Sequence, residues 1–322
     1  MVSLWLGIPC SGTQQPKGEC SMVTKAAPAG KPIPVILDTD IGTDIDDTWA
    51  LVMMLNSPEL DVRLIVTDTD DTVYRARIVA KILQIAGRTD IPIGVGLQLS
   101  QQRGPQEPWV KDYDLAQYPG PVHHDGVGAL IDTIMDSSDP VTLISIGPVP
   151  NISAALAREP RIAARARFVG MHGSIRRGYD GSPQIAAEYN VKRYPQSCQQ
   201  IFTAPWEMTI TPLDTCGLVR LRGDKYARVR DCKRPLAQAL IENYRTWAGY
   251  KEVAEQESSV LFDTVAVYLA MAQDLLTIER LGVRVTDEGF TVLDDRAKQI
   301  NCATEWKDLL AFEDLLVERL TR

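Results

Sequence analysis

The chain has 322 residues, 45% of them hydrophobic and 24% charged, with 22 Gly and 20 Pro. That composition belongs to a globular protein rather than a disordered, collagenous or coiled-coil one, and its length supports one large α/β domain or two smaller ones. The 34 Lys and Arg stand against 42 Asp and Glu, a net charge of −8, which denies nucleic acid the clustered positive surface it needs. No uninterrupted apolar run reaches the ~18–20 residues of a membrane span.

The cysteines at positions 10, 20, 198, 216, 232 and 302 never fall in C-x-x-C spacing, and the histidines are His123, His124 and His172. No zinc pattern results, and scattered cysteines in so long a chain read as reduced thiols. Residues 1–31 are small, polar and rich in Pro and Gly, as in a disordered tail. Within them Val2–Cys10 is short and lacks a basic flank, so a cytoplasmic location is expected ahead of an exported or lipid-anchored one.

From residue 32 strands and helices alternate. Pro34–Leu37 is an apolar run suited to a buried parallel strand, Thr48–Leu55 a helix and Val62–Val66 the next strand. Tyr74–Ala86 reads as a helix stopped at Gly87, and Pro92–Val95 as a strand. Residues 97–121 form a long loop of the kind that borders active sites. Helices are expected at Val127–Met135 and Asn151–Ala157, and strands at Val141–Ile146, Arg167–Met171 and Met208–Thr211. Pro235–Tyr250 and Val260–Ala272 read as helices, Arg284–Leu293 as a hairpin turning at Asp-Glu-Gly, and Glu305–Leu320 as an amphipathic helix. The alternation predicts a single α/β domain over residues 32–322. Its sheet would be mostly parallel and Rossmann-like, flanked by helices, with a small C-terminal hairpin.

The densest chemistry lies in Asp38-Thr-Asp40-Ile-Gly42-Thr-Asp44-Ile-Asp46-Asp47, which follows one predicted strand and precedes a helix. Ligands of open α/β sheets gather at the carboxyl ends of strands. Capping or solvation accounts for any one of these carboxylates; all five together call for a hard divalent cation. An EF-hand is excluded, because Thr43 and Trp49 stand where its Gly and Glu belong. A Mg²⁺ phosphohydrolase of the haloacid dehalogenase class, with Asp38 as nucleophile, also opens on strand-Asp-x-Asp and remains the second reading. It would carry Thr or Val where this chain has Gly42.

Residues Val35–Leu51 closely resemble the N-terminal signature of the nucleoside hydrolases, the inosine–uridine preferring N-ribohydrolases, and the likeness continues to the C-terminus. Gly94-Val-Gly96, Leu143-Ile-Ser-Ile-Gly-Pro-Val-Pro-Asn151, Ala187-Glu-Tyr-Asn-Val191 and Leu261-Phe-Asp-Thr-Val-Ala266 are similar to the family's later motifs, in order. The resemblance implies Ca²⁺-dependent hydrolysis of ribonucleosides to base and ribose, in a homodimer or homotetramer. It implies Ca²⁺ held by Asp40, Asp47, Asp263 and the Ile146 carbonyl, with Asp46 as general base. Glu188, Asn190, Asp38 and Asp71 would stand on the ribose side. Such residues suit an oxocarbenium-like transition state and an activated water. Oxygen ligands without His favour Ca²⁺ or Mg²⁺ over zinc, and Ca²⁺ accepts the more irregular sphere.

The chain also departs from the family. Phe262 stands where the family carries a His that protonates the leaving base. That role is expected from His124 or its neighbour His123, while Trp247 or Tyr250 would frame the base. Asp68 and Asp70 add charge with no family counterpart, and Asp44 lies in an expansion of the loop. A binding protein that has lost its acid is the third reading.

Overall fold

The computed structural model describes Met1 and residues 30–322; the expected tail, with Cys10 and Cys20, lies outside the described residues. Ten strands form one sheet: β1 (Ile33–Thr39), β2 (Leu60–Thr67), β3 (Ile93–Val95), β4 (Val122–His123), β5 (Val141–Ser145), β6 (Ala166–Met171), β7 (Met208–Thr211), β8 (Leu276–Val285), β9 (Thr291–Leu293) and β10 (Gln299–Trp306). Their order is β4-β3-β2-β1-β5-β6-β7-β10-β8-β9. Pairing is parallel from β4 through β7 to β10, then antiparallel from β10 to β8 and from β8 to β9.

The chain winds outward from β1 through β2, β3 and β4, then returns to the other side of β1 with β5. The carboxyl end of β1 is therefore the switch point of the sheet, where neighbouring connections diverge and leave a crevice. Strand alternation fills both faces. Val35 and Leu37 join one apolar cluster with Trp49 and Ile65, while Ile36 joins the other with Leu64, Val66 and Phe168.

The C-terminal region differs from its sequence reading. Residues 299–306 are strand β10, with Ile300 and Cys302 buried, and the last helix starts only at Leu309, capped by Asp308 accepting from Ala311 N–H at 2.9 Å. A short period-two run beside an amphipathic helix is easily absorbed into it. The predicted hairpin is β8–β9, but β10 inserts between it and β7, so it extends the main sheet. The helix expected at Val260–Ala272 spans Thr264–Met271, which puts Asp263 at its N-cap. The four described cysteines are free.

Helix α1 (Asp46–Leu55) follows β1, and α2 (Thr72–Ile85) follows β2. Arg75, 2% exposed on α2, clamps the loop between β1 and α1. Its guanidinium donates to the carbonyls of Asp40, Ile41 (3.0 Å) and Thr69 (3.0 Å), and pairs with Asp70 at 3.3 Å. Arg75→Met leaves three buried carbonyls short of a donor, while Asp70 keeps Arg193 at 3.0 Å. The expected cost is about 3 kcal/mol, the lower end for breaking a buried ion pair, read as a lower urea midpoint at unchanged slope.

Candidate active site

A cavity of about 210 Å³ opens at the switch point, lined by Asp40, Thr43, Asp44, Asp46, Asp47, Ile146, Met171, Tyr179, Glu188, Tyr189, Asn190, Phe262 and Asp263. This is small-molecule scale, below the ~300–1,000 Å³ of drug-sized sites. Asp40 comes from the turn after β1, Ile146 from the end of β5 and Met171 from the end of β6. Asp44 comes from the loop before α1, and three helix N-termini supply the other four carboxylates. Asp46 and Asp47 open α1, Glu188 caps the helix Tyr189–Arg193, and Asp263 sits at the N-cap of Thr264–Met271. Each is thus placed where the helix dipole favours an anion.

Asp46, Asp47 and Asp263 each offer a carboxylate oxygen, and the three atoms lie within 4.8 Å of one another, all buried. Asp47 accepts from Thr39 Oγ1 at 2.5 Å, and Asp46 from the Asp263 N–H at 3.2 Å. Burial, then repulsion from the other carboxylates, pushes all three well above the usual carboxylate range. Arg75 directs its ion pair to Asp70 and reaches Asp47 only at longer range, and among the described residues no side-chain cation pairs with this trio. Buried, converging, oxygen-only donors of uncompensated charge fit a hard dication such as Ca²⁺ or Mg²⁺. Asp40 lines the same cavity outside the trio and packs closely on the β5 end. A Cβ on Gly147 would lie 2.8 Å from both Asp40 N and Oδ1.

Lining the same cavity, Glu188 accepts from the N–H groups of Asn190 (2.7 Å), Gly173 (3.0 Å) and Val191 (3.3 Å). Burial nonetheless pushes its carboxyl up to about 7. Asn190 Nδ2 donates to the carbonyls of Ile146 (3.2 Å) and Met171 (3.0 Å), which leaves Oδ1 free to accept from a hydroxyl. The Ile146 carbonyl therefore has one acceptor direction already taken.

Other expected site residues fall elsewhere. Asp38 is fully buried beneath the cavity, accepts from Asn151 Nδ2 at 2.9 Å, and is pushed by burial up to about 7. Asp71 caps α2 through Tyr74 N–H at 2.9 Å and pairs with Arg103 at 2.7 Å. His124 is exposed beside β4, at the outer edge of the sheet, and with His123 lines a separate surface groove. Tyr250 is 73% exposed, because left-handed Gly249 and Tyr250 end the preceding helix and turn the ring outward. Trp247 stacks on Tyr244 and donates to the Thr43 carbonyl at 3.3 Å, so it braces the loop from outside the cavity. His172 is fully buried against Phe168 and lines none of the cavity.

Tyr179, Tyr189, Met171, Thr43 and Asp44 line the cavity without having been singled out as site residues. Tyr189 sits inside the Ala-Glu-Tyr-Asn run, so its neighbours signalled it. For Tyr179 the only local signal is a Gly-Tyr-Asp-Gly turn.

The family profile described as inosine-uridine preferring nucleoside hydrolase matches residues 35–313. "Probable uridine nucleosidase 2" of Arabidopsis thaliana is 25% identical over 291 residues, 85% of this chain and 89% of its own length. The non-specific ribonucleoside hydrolase RihC of Escherichia coli is 28% identical over 270 residues, 80% of this chain and 85% of its own. Among solved structures, a plant nucleoside hydrolase superposes with TM-score 0.75 at 22% identity, covering 90% of this chain and 99% of that one. A purine-preferring ribonucleoside hydrolase of Gardnerella vaginalis gives 0.71 at 23%, covering 89% and 98%. With its fold, its acidic switch-point cavity and a profile match over most of its length, the chain belongs to the inosine-uridine preferring nucleoside hydrolase family and is by that membership a nucleoside N-ribohydrolase.

Proposed function

We propose that this chain uses Ca²⁺ to hydrolyse the N-glycosidic bond of ribonucleosides, releasing base and ribose. The observation that carries the reading is the convergence of Asp46, Asp47 and Asp263 in a cavity that Glu188 and Asn190 also line. The trio would hold the cation, which when bound lowers the pKa of water and anchors sugar hydroxyls. Glu188 and the free Oδ1 of Asn190 accept from ribose hydroxyls and fix the sugar. The carboxylate wall stabilises positive charge developing at the anomeric carbon. Asp46 is drawn into the trio and already accepts from Asp263 N–H, so Asp40, outside it, takes the proton of the attacking water. This exchanges the roles that the sequence suggests for these two residues. Assembly as a homodimer or homotetramer is part of the proposal and is read by light scattering.

The phosphohydrolase reading needs an accessible nucleophile at Asp38, and that carboxylate is 0% exposed and bound to Asn151. The binding-protein reading is separated from catalysis by turnover alone.

Ribose release from inosine, uridine, cytidine and adenosine is expected, and a chelator should abolish it. No release from any of the four by cation-loaded protein would overturn the reading. Asp40→Asn is expected to lower kcat by about 10²–10³-fold with Ca²⁺ still bound, whereas Asp263→Asn loses the ion itself. Loss of Ca²⁺ in Asp40→Asn, with retention in Asp46→Asn, would return the two residues to their sequence-suggested roles.

Gly147→Ala places a methyl against Asp40 and is expected to lower kcat more than it lowers the thermal midpoint. A pH dependence follows from Asp38 and Glu188, each pushed by burial up to about 7. Groups raised on folding hold their protons longer in the native state, so the stability they contribute is complete below about pH 4 and is lost as pH rises through 7. In chelator the thermal midpoint should therefore fall between pH 5 and 8, and Ca²⁺ should raise it most at the upper end.

A further inference from the structure

Cleavage of a glycosidic bond leaves an electron pair on the departing base, and the cavity wall is almost entirely of acceptors. Asp40, Asp44, Asp46, Asp47, Asp263 and Glu188 are carboxylates. Both amide protons of Asn190 go to main-chain carbonyls. Among the described lining residues the side-chain donors that remain are the hydroxyls of Thr43, Tyr179 and Tyr189. The Thr43 N–H donates to the Asp40 carbonyl at 3.3 Å, which ties that residue to the loop after β1. The Tyr189 hydroxyl feels Asp40 first, then Arg193 and Asp70, and no protein hydrogen bond holds it in place among the described residues.

Tyr179 is different. Its hydroxyl oxygen accepts from the Tyr189 N–H at 2.9 Å, which fixes one lone pair, and among the described residues its proton has no protein acceptor. Its ring meets Phe262 edge-on, centroids 6.2 Å apart at 82°. The turn that carries it is fixed by Gly178 N–H to Ser182 O (2.9 Å) and Ser182 N–H to Tyr179 O (3.1 Å), with Asp180 left-handed at φ 56°. Asp214 anchors the loop upstream by accepting from Ile175 and Arg176 N–H. A donor held this rigidly is already ordered before charge develops, the condition for stabilising it.

We propose that Tyr179 is a catalytic residue whose hydroxyl hydrogen-bonds the departing nitrogenous base. This rests on the ribonucleoside reading. As the C1′–N bond breaks, its electron pair stays on the base nitrogen, where the Tyr179 O–H meets it. The water oxygen bonds to C1′, the water proton passes to Asp40, and the freed base takes its proton from solvent. The tyrosine forms no covalent bond. Burial pushes its hydroxyl above the ordinary tyrosine range, so it stays a donor across neutral pH.

The test is Tyr179→Phe in Ca²⁺-loaded full-length protein, with wild-type thermal midpoint and Ca²⁺ affinity as folding controls. Inosine and uridine are compared with 4-nitrophenyl ribofuranoside, whose phenolate leaves without help. The expected result is a loss of about 100-fold in kcat/KM on both nucleosides and under about threefold on the aryl riboside. Equal loss on all three substrates would mark a ribose or loop role and overturn the proposal, as would no loss on the nucleosides. Wild-type protein inert on all three would overturn the ribonucleoside reading itself, and this proposal with it.

Discussion

The structure is organised around the cost of burying like charges. Asp38, Asp40, Asp46, Asp47, Asp68, Asp263 and Glu188 are all withdrawn from water near the carboxyl end of β1. Each ion so placed costs several kcal/mol unless compensated. The fold compensates with main-chain dipoles and with one buried cation, Arg75, which acts on Asp40, Asp47 and Asp68. Three helices begin at the cavity, and Glu188 alone takes three backbone N–H groups. The remaining deficit lies where Asp46, Asp47 and Asp263 converge, and there a dication contributes most.

Arg75 shows how that arrangement is kept in register. Its guanidinium serves carbonyls of the acidic loop, so it orients the loop without neutralising the trio. Its ion pair goes to Asp70, which also takes Arg193 at 3.0 Å and Ser100 Oγ at 2.8 Å. Arg193 ends the helix that Glu188 caps. Asp70 thus ties the β1 loop, the segment after β2 and the helix Tyr189–Arg193 into one network. Thr69 and Asp70 hold left-handed backbone at φ 57° and 49° to do so. Two adjacent non-glycine residues in that region cost of order 1–3 kcal/mol each, which these contacts offset. The Asp68 carboxylate accepts from the Thr69 N–H at 2.8 Å through Oδ1, while its Oδ2 has no partner among the described residues.

Much of this was legible in the residue order because it is encoded locally. Buried parallel strands are short apolar runs, so β1, β2, β3, β5, β6 and β7 stand out in the sequence. The acidic loop, the Glu188–Asn190 run and Asp263 are likewise dense local patterns. What escaped was set by distance across the sheet. His124 belongs to the right chemical class but flanks β4, three strands from β1, and nothing local reveals that separation. Tyr250 sits one turn beyond Trp247 by helical count, yet the left-handed break at Gly249 faces it to solvent. Strand β10 was hidden because its partners, β7 and β8, lie about 90 and 20 residues away in sequence.

Phe262 illustrates how a departure at one position is absorbed by a neighbouring element. It immediately precedes Asp263, so a titratable side chain there would share its environment with a carboxylate of the trio. A phenyl ring removes that coupling and leaves an apolar edge on which Tyr179 packs. The polar function on that side of the cavity then belongs to a loop between β6 and β7, anchored by Asp214 and by its own turn. A donor there is carried by a different element from the helix that carries Asp263, touching it through the Phe262 ring. If Tyr179 meets the base as proposed, cation affinity and base recognition vary separately, the first with the helix N-termini at the switch point and the second with the turn at residues 178–182.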